Sequence, residues 1–127
     1  MKILIVDDSK AMRMLVSFNL RQAGFKGHTI IEADDGSTGL KMVLEEEPDL
    51  VLSDWNMPNL TGIAFLKELN SKHEAEQLAK MPIFVFVTSE STDDMRQAAL
   101  ENGANCLITK PFTADVFEEK LDGIITD

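Results

Sequence analysis

Hydrophobic residues along this chain fall into short runs that alternate with stretches of helical spacing. Runs rich in aliphatic or β-branched residues occur at Lys2 to Val6, Thr29 to Ala33, Leu50 to Ser53, Ile83 to Val87 and Cys106 to Thr109, and each reads as a strand. Between them the period changes. After Ser9, the residues Met12, Leu15, Val16, Leu20 and Ala23 form a stripe that stops at Gly24, which predicts an amphipathic helix closed by a left-handed glycine. Further helices are predicted to begin near Ser37, Ile63, Asp93 and Thr113, the last with Phe117, Leu121 and Ile124 on one face. The resulting order is strand–helix repeated five times.

The runs at 3–6, 50–52 and 83–87 are apolar without interruption, as expected of parallel strands covered by helices on both faces. TIIEA at 29–33 is more mixed and suits an edge. Right-handed crossovers then favour a doubly wound, flavodoxin-like α/β fold with a parallel five-stranded sheet, for which 2-1-3-4-5 is a common strand order. In such sheets ligands bind beyond the carboxyl ends of the strands where the order reverses, here between strands one and three.

Composition narrows the classes. A length of 127 residues without a Pro/Gly/Ser linker or repeat predicts one domain over 1–127. Hydrophobic residues at 44% and charged residues at 27% are a globular balance. No apolar stretch approaches the ~20 residues of a membrane span, and MKILIVDD holds too short an apolar run for a signal peptide, so a soluble, cytoplasmic protein is expected. The single cysteine, Cys106, excludes an internal disulfide or a thiolate cluster and reads as a small buried apolar residue. A net charge of −10, with 12 basic residues in no block, argues against nucleic-acid partners, and no membrane partner is expected. Proteins or a cation are the partners to expect.

The topology gathers scattered polar residues at one end of the sheet. Strand one ends in Asp7 and Asp8, strand three in Asp54, strand four in Thr88, Ser89 and Glu90, and strand five in Thr109, Lys110 and Pro111. Other double aspartates stand at 34–35 and 93–94. Of these, Asp34-Asp35-Gly36 reads as an edge turn and Asp93-Asp94 as the acidic first turn of a helix. Only Asp7 and Asp8 fall beside Asp54. Two like charges ~4 Å apart at an effective dielectric of ~20 repel by about 4 kcal/mol, so a cation is expected among these three. The donors are hard oxygens, and His28 and His73 lie away from the strand ends as surface or loop residues, which favours magnesium over zinc. With Lys110 as a second positive charge and Thr88 as a hydroxyl donor, the surroundings suit a phosphoryl group in transfer, and Asp54 reads as its nucleophile.

The motifs VDDS at 6–9, SDWNMPNLTG at 53–62, VTSE at 87–90 and TKPF at 109–112 resemble those of two-component response-regulator receiver domains, specifically the CheY-like chemotaxis regulators. The resemblance spans nearly the whole chain and itself carries the 2-1-3-4-5 order. It implies that Asp54 is the phosphoacceptor, that Asp8 binds Mg2+ directly and Asp7 largely through water, and that Asn56 contributes its backbone carbonyl. It implies further that Thr88 is the switch hydroxyl and Lys110 its ionic partner, with a cis bond to Pro111. Asn56 and Glu90 occupy positions that in the family tune phosphoryl lifetime. The donor would be a sensor histidine kinase or histidine phosphotransfer domain. The output is a changed affinity for a downstream effector protein, the flagellar switch among the candidates, through the surface of helix four, strand five and helix five. Such a protein is not an enzyme in the usual sense, since it assists only its own phosphorylation and dephosphorylation.

Two departures stand out. Three residues before Lys110, where many receivers carry Tyr or Phe, this chain has Leu107, and it has no tyrosine. Ser91, Thr92 and Asp93 occupy positions where motor-binding members tend to carry lysines. Plainer roles stand beside the functional ones: Asp8 or Ser9 as a helix N-cap, Lys110 as a solvated lysine, Thr88 as a strand-end hydroxyl, Trp55 as a cover over the site's edge and EEEP at 45–48 as a solvated helix end. Met14 and Phe18, off the main stripe, either dock a phosphodonor or pack on a neighbouring helix such as the last. A flavodoxin-type electron carrier would need a Ser/Thr/Gly-rich loop after strand one, and a dehalogenase-type phosphatase a D-x-D pair there. Neither is present. A phosphate sink, a phosphorylation-independent interaction module and a receiver excised from a larger regulator are the alternatives; the lack of a linker after Asp127 favours a single-domain product or a trimmed domain.

Overall fold

The computed structural model describes residues 1–125. Five strands and five helices alternate as β1 (Lys2–Val6), α1 (Lys10–Gln22), β2 (Thr29–Ala33), α2 (Gly36–Glu46), β3 (Leu50–Ser53), α3 (Gly62–Glu74), β4 (Ile83–Thr88), α4 (Asp93–Glu101), β5 (Cys106–Thr109) and α5 (Ala114–Leu121). The strands form one parallel sheet of order β2-β1-β3-β4-β5. Every strand coincides with a predicted run, except that β4 extends one residue further, through Thr88.

Alternating side chains along the strands feed two cores, as the two-residue period of a strand requires. Leu4, Val6, Val51, Phe84, Phe86 and Leu107 face one way and pack with Val43 of α2, Phe65, Leu66 and Leu69 of α3 and Ala99 of α4. Ile3, Ile5, Leu50, Leu52, Val85, Val87 and Ile108 face the other way, against Val16 and Leu20 of α1 and Phe117 and Leu121 of α5. Burying each such large side chain contributes about 1.5–3 kcal/mol, so the central strands are the rigid base from which the polar loops project. Cys106 is half-buried at the edge of the second core, and burial raises its thiol pKa.

Each helix start is fixed by a side-chain cap. Ser9, Asp35, Thr61, Thr92 and Thr113 each accept from the backbone N–H three residues on, at Met12, Thr38, Ala64, Met95 and Val116. The helix α1 ends at Gln22 with Ala23 as its C-cap, followed by Gly24 with φ +96. Its buried face differs from the predicted stripe: Val16, Asn19 and Leu20 are buried, whereas Leu15 is 44% exposed. Asn19 is accommodated because its amide donates to the Leu15 carbonyl at 2.9 Å. Met14 and Phe18 are 62% and 48% exposed, which overturns the packed alternative for them. At about 100° per residue each lies on the far side of the helix from Val16. At the other end of the chain, α5 stops at Leu121, so Ile124 packs on the second core from beyond the helix. No helix of the described residues is long and apolar enough to cross a membrane.

Candidate functional site

Parallel pairing brings the ends of β1 and β3 side by side, with Val6 in register with Ser53. The next residue on each strand, Asp7 and Asp54, therefore sits at the same level. Backbone bonds hold both: Asp7 N–H donates to the Ala33 carbonyl at 3.1 Å and Asp54 N–H to the Val6 carbonyl at 2.9 Å. Asp8, next along, projects into solvent, whereas Asp7 and Asp54 are only 4% and 9% exposed. One carboxylate oxygen from each of Asp7, Asp8 and Asp54 lies within 4.8 Å of the others. The remaining double aspartates stay outside this group, Asp35 capping α2 and Asp93-Asp94 occupying the first turn of α4.

Lys110 reaches the same point from β5. Its Nζ stands 3.1 Å from Asp7 Oδ2 and 3.4 Å from Asp54 Oδ2. The strand end that carries it is fixed by Lys110 N–H donating to the Thr88 carbonyl at 2.7 Å, and the Lys110–Pro111 peptide is cis. One ammonium offsets one of three carboxylate charges. Asp54 shows the consequence: burial raises its pKa from the ordinary 3.8, Lys110 opposes the rise, and Asp7 adds to it by repulsion.

Thr88 is fully buried at the end of β4, and its hydroxyl accepts from the Glu90 N–H at 3.4 Å. Glu90 and Asn56 are exposed, on the loops after β4 and β3. Trp55 N–H donates to Asp54 Oδ1 at 2.7 Å, while its indole tilts over Phe86 with ring centroids 4.7 Å apart. The ring thus rests on the core. His28 and His73 lie elsewhere, with Nδ1 contacts to the Met1 ammonium and the Leu78 carbonyl.

The donor set fits a small hard cation. Three carboxylates converge with one exposed member open to water, and only part of their charge is offset by Lys110. Magnesium prefers such oxygen ligands and keeps several waters.

Some residues of this neighbourhood escape a reading of the strand ends. Arg13, one turn into α1, donates from Nη1 to the Asp7 carbonyl at 2.7 Å and from Nε to Glu32 at 2.9 Å. The signal available was Glu32 itself, a charge interrupting an apolar strand, which asks for a basic partner on the helix beside it. Asn59 and Gly62, within the motif at 53–62, pack the loop after Asp54 against its neighbours.

Comparison with known proteins gives the class. Residues 3–122 match the family described as "Response regulator receiver domain". The chain is 43% identical over 124 residues to chemotaxis protein CheY-3 of Vibrio cholerae serotype O1, covering 98% of this chain and 91% of that protein. It is 41% identical to chemotaxis protein CheY of Pseudomonas aeruginosa, covering 98% and 95%. Among solved structures, the chemotaxis response regulator CheY4 of Vibrio cholerae superposes with a TM-score of 0.80 at 28% identity over 98% of both chains. The chain belongs to the response-regulator receiver family. Members are phosphorylation-dependent signalling switches rather than classical enzymes, and they generally use Mg2+ at an acidic pocket.

Proposed function

We propose that residues 1–127 act as one cytoplasmic receiver domain in which Asp54 accepts a phosphoryl group from a sensor histidine kinase or histidine phosphotransfer domain. The observation that carries this reading is the convergence of Asp7, Asp8 and Asp54 on one point that Lys110 also reaches. In the reaction a carboxylate oxygen of Asp54 attacks phosphorus, an O–P bond forms, and the P–N bond to the donor imidazole breaks. Asp7, Asp8, Asp54 and the Asn56 carbonyl would hold Mg2+, which when bound supplies charge neutralisation for the phosphoryl oxygens. Lys110 stabilises the same charge from the side of β5. The buried Thr88 hydroxyl turns to the phosphoryl group once it is present, and Asn56 and Glu90, exposed at the rim, set how readily water removes it.

The output is a changed affinity for a downstream protein through α4, β5 and α5. Relatives named as chemotaxis proteins support a place in chemotaxis, with the flagellar switch as a partner class. The test is intact-mass spectrometry after incubation with a small phosphodonor, with and without magnesium, on wild type and Asp54→Asn. A single phosphoryl adduct that needs both Asp54 and magnesium is expected. No adduct under any condition would overturn the reading in favour of a phosphorylation-independent interaction module.

A further inference from the structure

The loop from Trp55 to Thr61 leaves the site and returns to it. At its root Asp54 N–H is bonded to Val6 and Gly62 N–H to the Trp55 carbonyl at 2.7 Å. From its tip Met57 enters the core, at 8% exposure, and Leu60 packs against the same core partly buried. Asn56, which lies between root and tip, is exposed. What steadies the far side of the tip is a different element. Asn59 Nδ2 donates to Asp35 Oδ2 at 2.8 Å, while the other oxygen of the same carboxylate accepts from Thr38 N–H at 2.7 Å as the cap of α2.

Two further features show that this contact is built into the fold. Asn59 has φ +69, a left-handed conformation that costs energy for any residue but glycine and that asparagine tolerates best among the others. Gly36, beside Asp35, lies so close to Leu60 that a Cβ there would overlap its carbonyl oxygen and stand 2.9 Å from its Cβ. The turn after β2 is thus a shelf on which the loop after β3 rests.

We infer that Asp35 and Asn59 are positioning residues for Asn56, so that the edge turn after β2 controls how well the site holds its cation. This rests on the reading of Asn56 and the three aspartates as the magnesium site. The physical reason is preorganisation: a backbone carbonyl offered by a mobile loop binds less tightly than one held in place, because ordering the loop must then come out of the binding free energy. Asp35 touches no candidate ligand, and its role reaches the site only through Asn59.

Two variants separate this role from simple capping. Asp35→Ser keeps an N-cap oxygen for Thr38 and is too short to reach Asn59. Asn59→Gly keeps the left-handed backbone without strain and deletes the amide. Asp35→Asn is the rescue, because rotation of the Asn59 amide restores a hydrogen bond between the pair. Magnesium affinity is read by Trp55 fluorescence and calorimetry, and loop order by amide hydrogen exchange of residues 56–60 in metal-free buffer. Asp35→Ser and Asn59→Gly are expected to weaken magnesium binding by about tenfold, the low end for residues that support metal ligands. Exchange of the loop should quicken, the double variant should be no worse than either single one, and Asp35→Asn should lie near wild type. Wild-type magnesium binding with both single variants within twofold of it overturns this inference alone. No magnesium binding by the wild type overturns the metal site, and the inference with it.

Discussion

Lys110 and Asp7, 103 residues apart in sequence, meet at 3.1 Å, and the same ammonium lies 3.4 Å from Asp54. The three side chains are 15%, 5% and 11% exposed, so water screens them poorly. Lys110 is therefore a structural counter-ion as well as a candidate phosphoryl ligand. Lys110→Met is expected to lose roughly 2 kcal/mol in urea unfolding in the presence of a chelator, because two carboxylates are left facing each other. Adding Asp7→Asn should recover part of that loss. A double-mutant cycle with no coupling would show that the contact carries no stability.

Asp54 gives a pH dependence whose sign follows from burial. Its pKa is raised above 3.8, burial being the largest cause. The folded chain then holds this proton more tightly than the unfolded chain. The side chain favours folding most below the unfolded value, and that contribution is lost as pH rises through the folded value. Near neutrality the ionised carboxylate is a net cost, which Asp54→Asn removes. In chelator the variant is expected to melt a few degrees above wild type near neutral pH, with the gap closing as pH falls toward 4. Magnesium should raise the wild-type midpoint and the variant's much less. A variant midpoint at or below wild type at neutral pH in chelator would mean that Lys110 more than offsets the burial cost.

Gly62 is where the loop closes back on the nucleophile. A Cβ there would overlap the Asp54 carbonyl oxygen and stand 2.8 Å from Phe86 Cε1 and 2.9 Å from Trp55 Cα. Gly103 makes a good control, with φ +94 and nothing within 4 Å. Gly103→Ala should cost about 1 kcal/mol through backbone strain alone. Gly62→Ala should cost about 2–3 kcal/mol through overpacking and shift Trp55 fluorescence as well. Equal stability losses with an unchanged emission spectrum would show that the backbone yields there without disturbing the site.

Much of this architecture was legible because it depends on local patterns. The apolar runs from Lys2 to Val6 and from Leu50 to Ser53 mark strand and strand end together, so Asp7 and Asp54 follow directly. Topology then joins them. The α1 face was misread at Leu15, because hydrophobicity alone could not foresee that Asn19 would be buried by bonding back to the Leu15 carbonyl. The Asp35–Asn59 contact was hidden for another reason. The two residues are 24 apart on separate loops, and each has a sufficient local explanation as a turn residue. The role of Arg13 depends on a backbone carbonyl, which no side-chain motif records.

Leu107 stands at the position on β5 three residues before Lys110. It is 5% exposed and stands in register with Phe86, whose ring contacts Trp55 at 4.7 Å and Phe84 at 5.0 Å between centroids. The aromatic mass on this side of the site is thus carried by β4 and the loop after β3, leaving β5 with an aliphatic side chain. A side chain without a ring to reorient is predicted to couple Thr88 less strongly to the surface of α4 and β5. Leu107→Tyr is therefore expected to increase the gain in partner affinity on phosphorylation. It should also cost about 1–3 kcal/mol, because the ring must find room beside Phe86. Pairing it with Phe86→Leu supplies that room and keeps the test meaningful should the single variant fold poorly. The measurement is partner affinity with and without the phosphoryl group, in wild type and both variants. Equal gains in all three would show that the identity of residue 107 does not set the coupling.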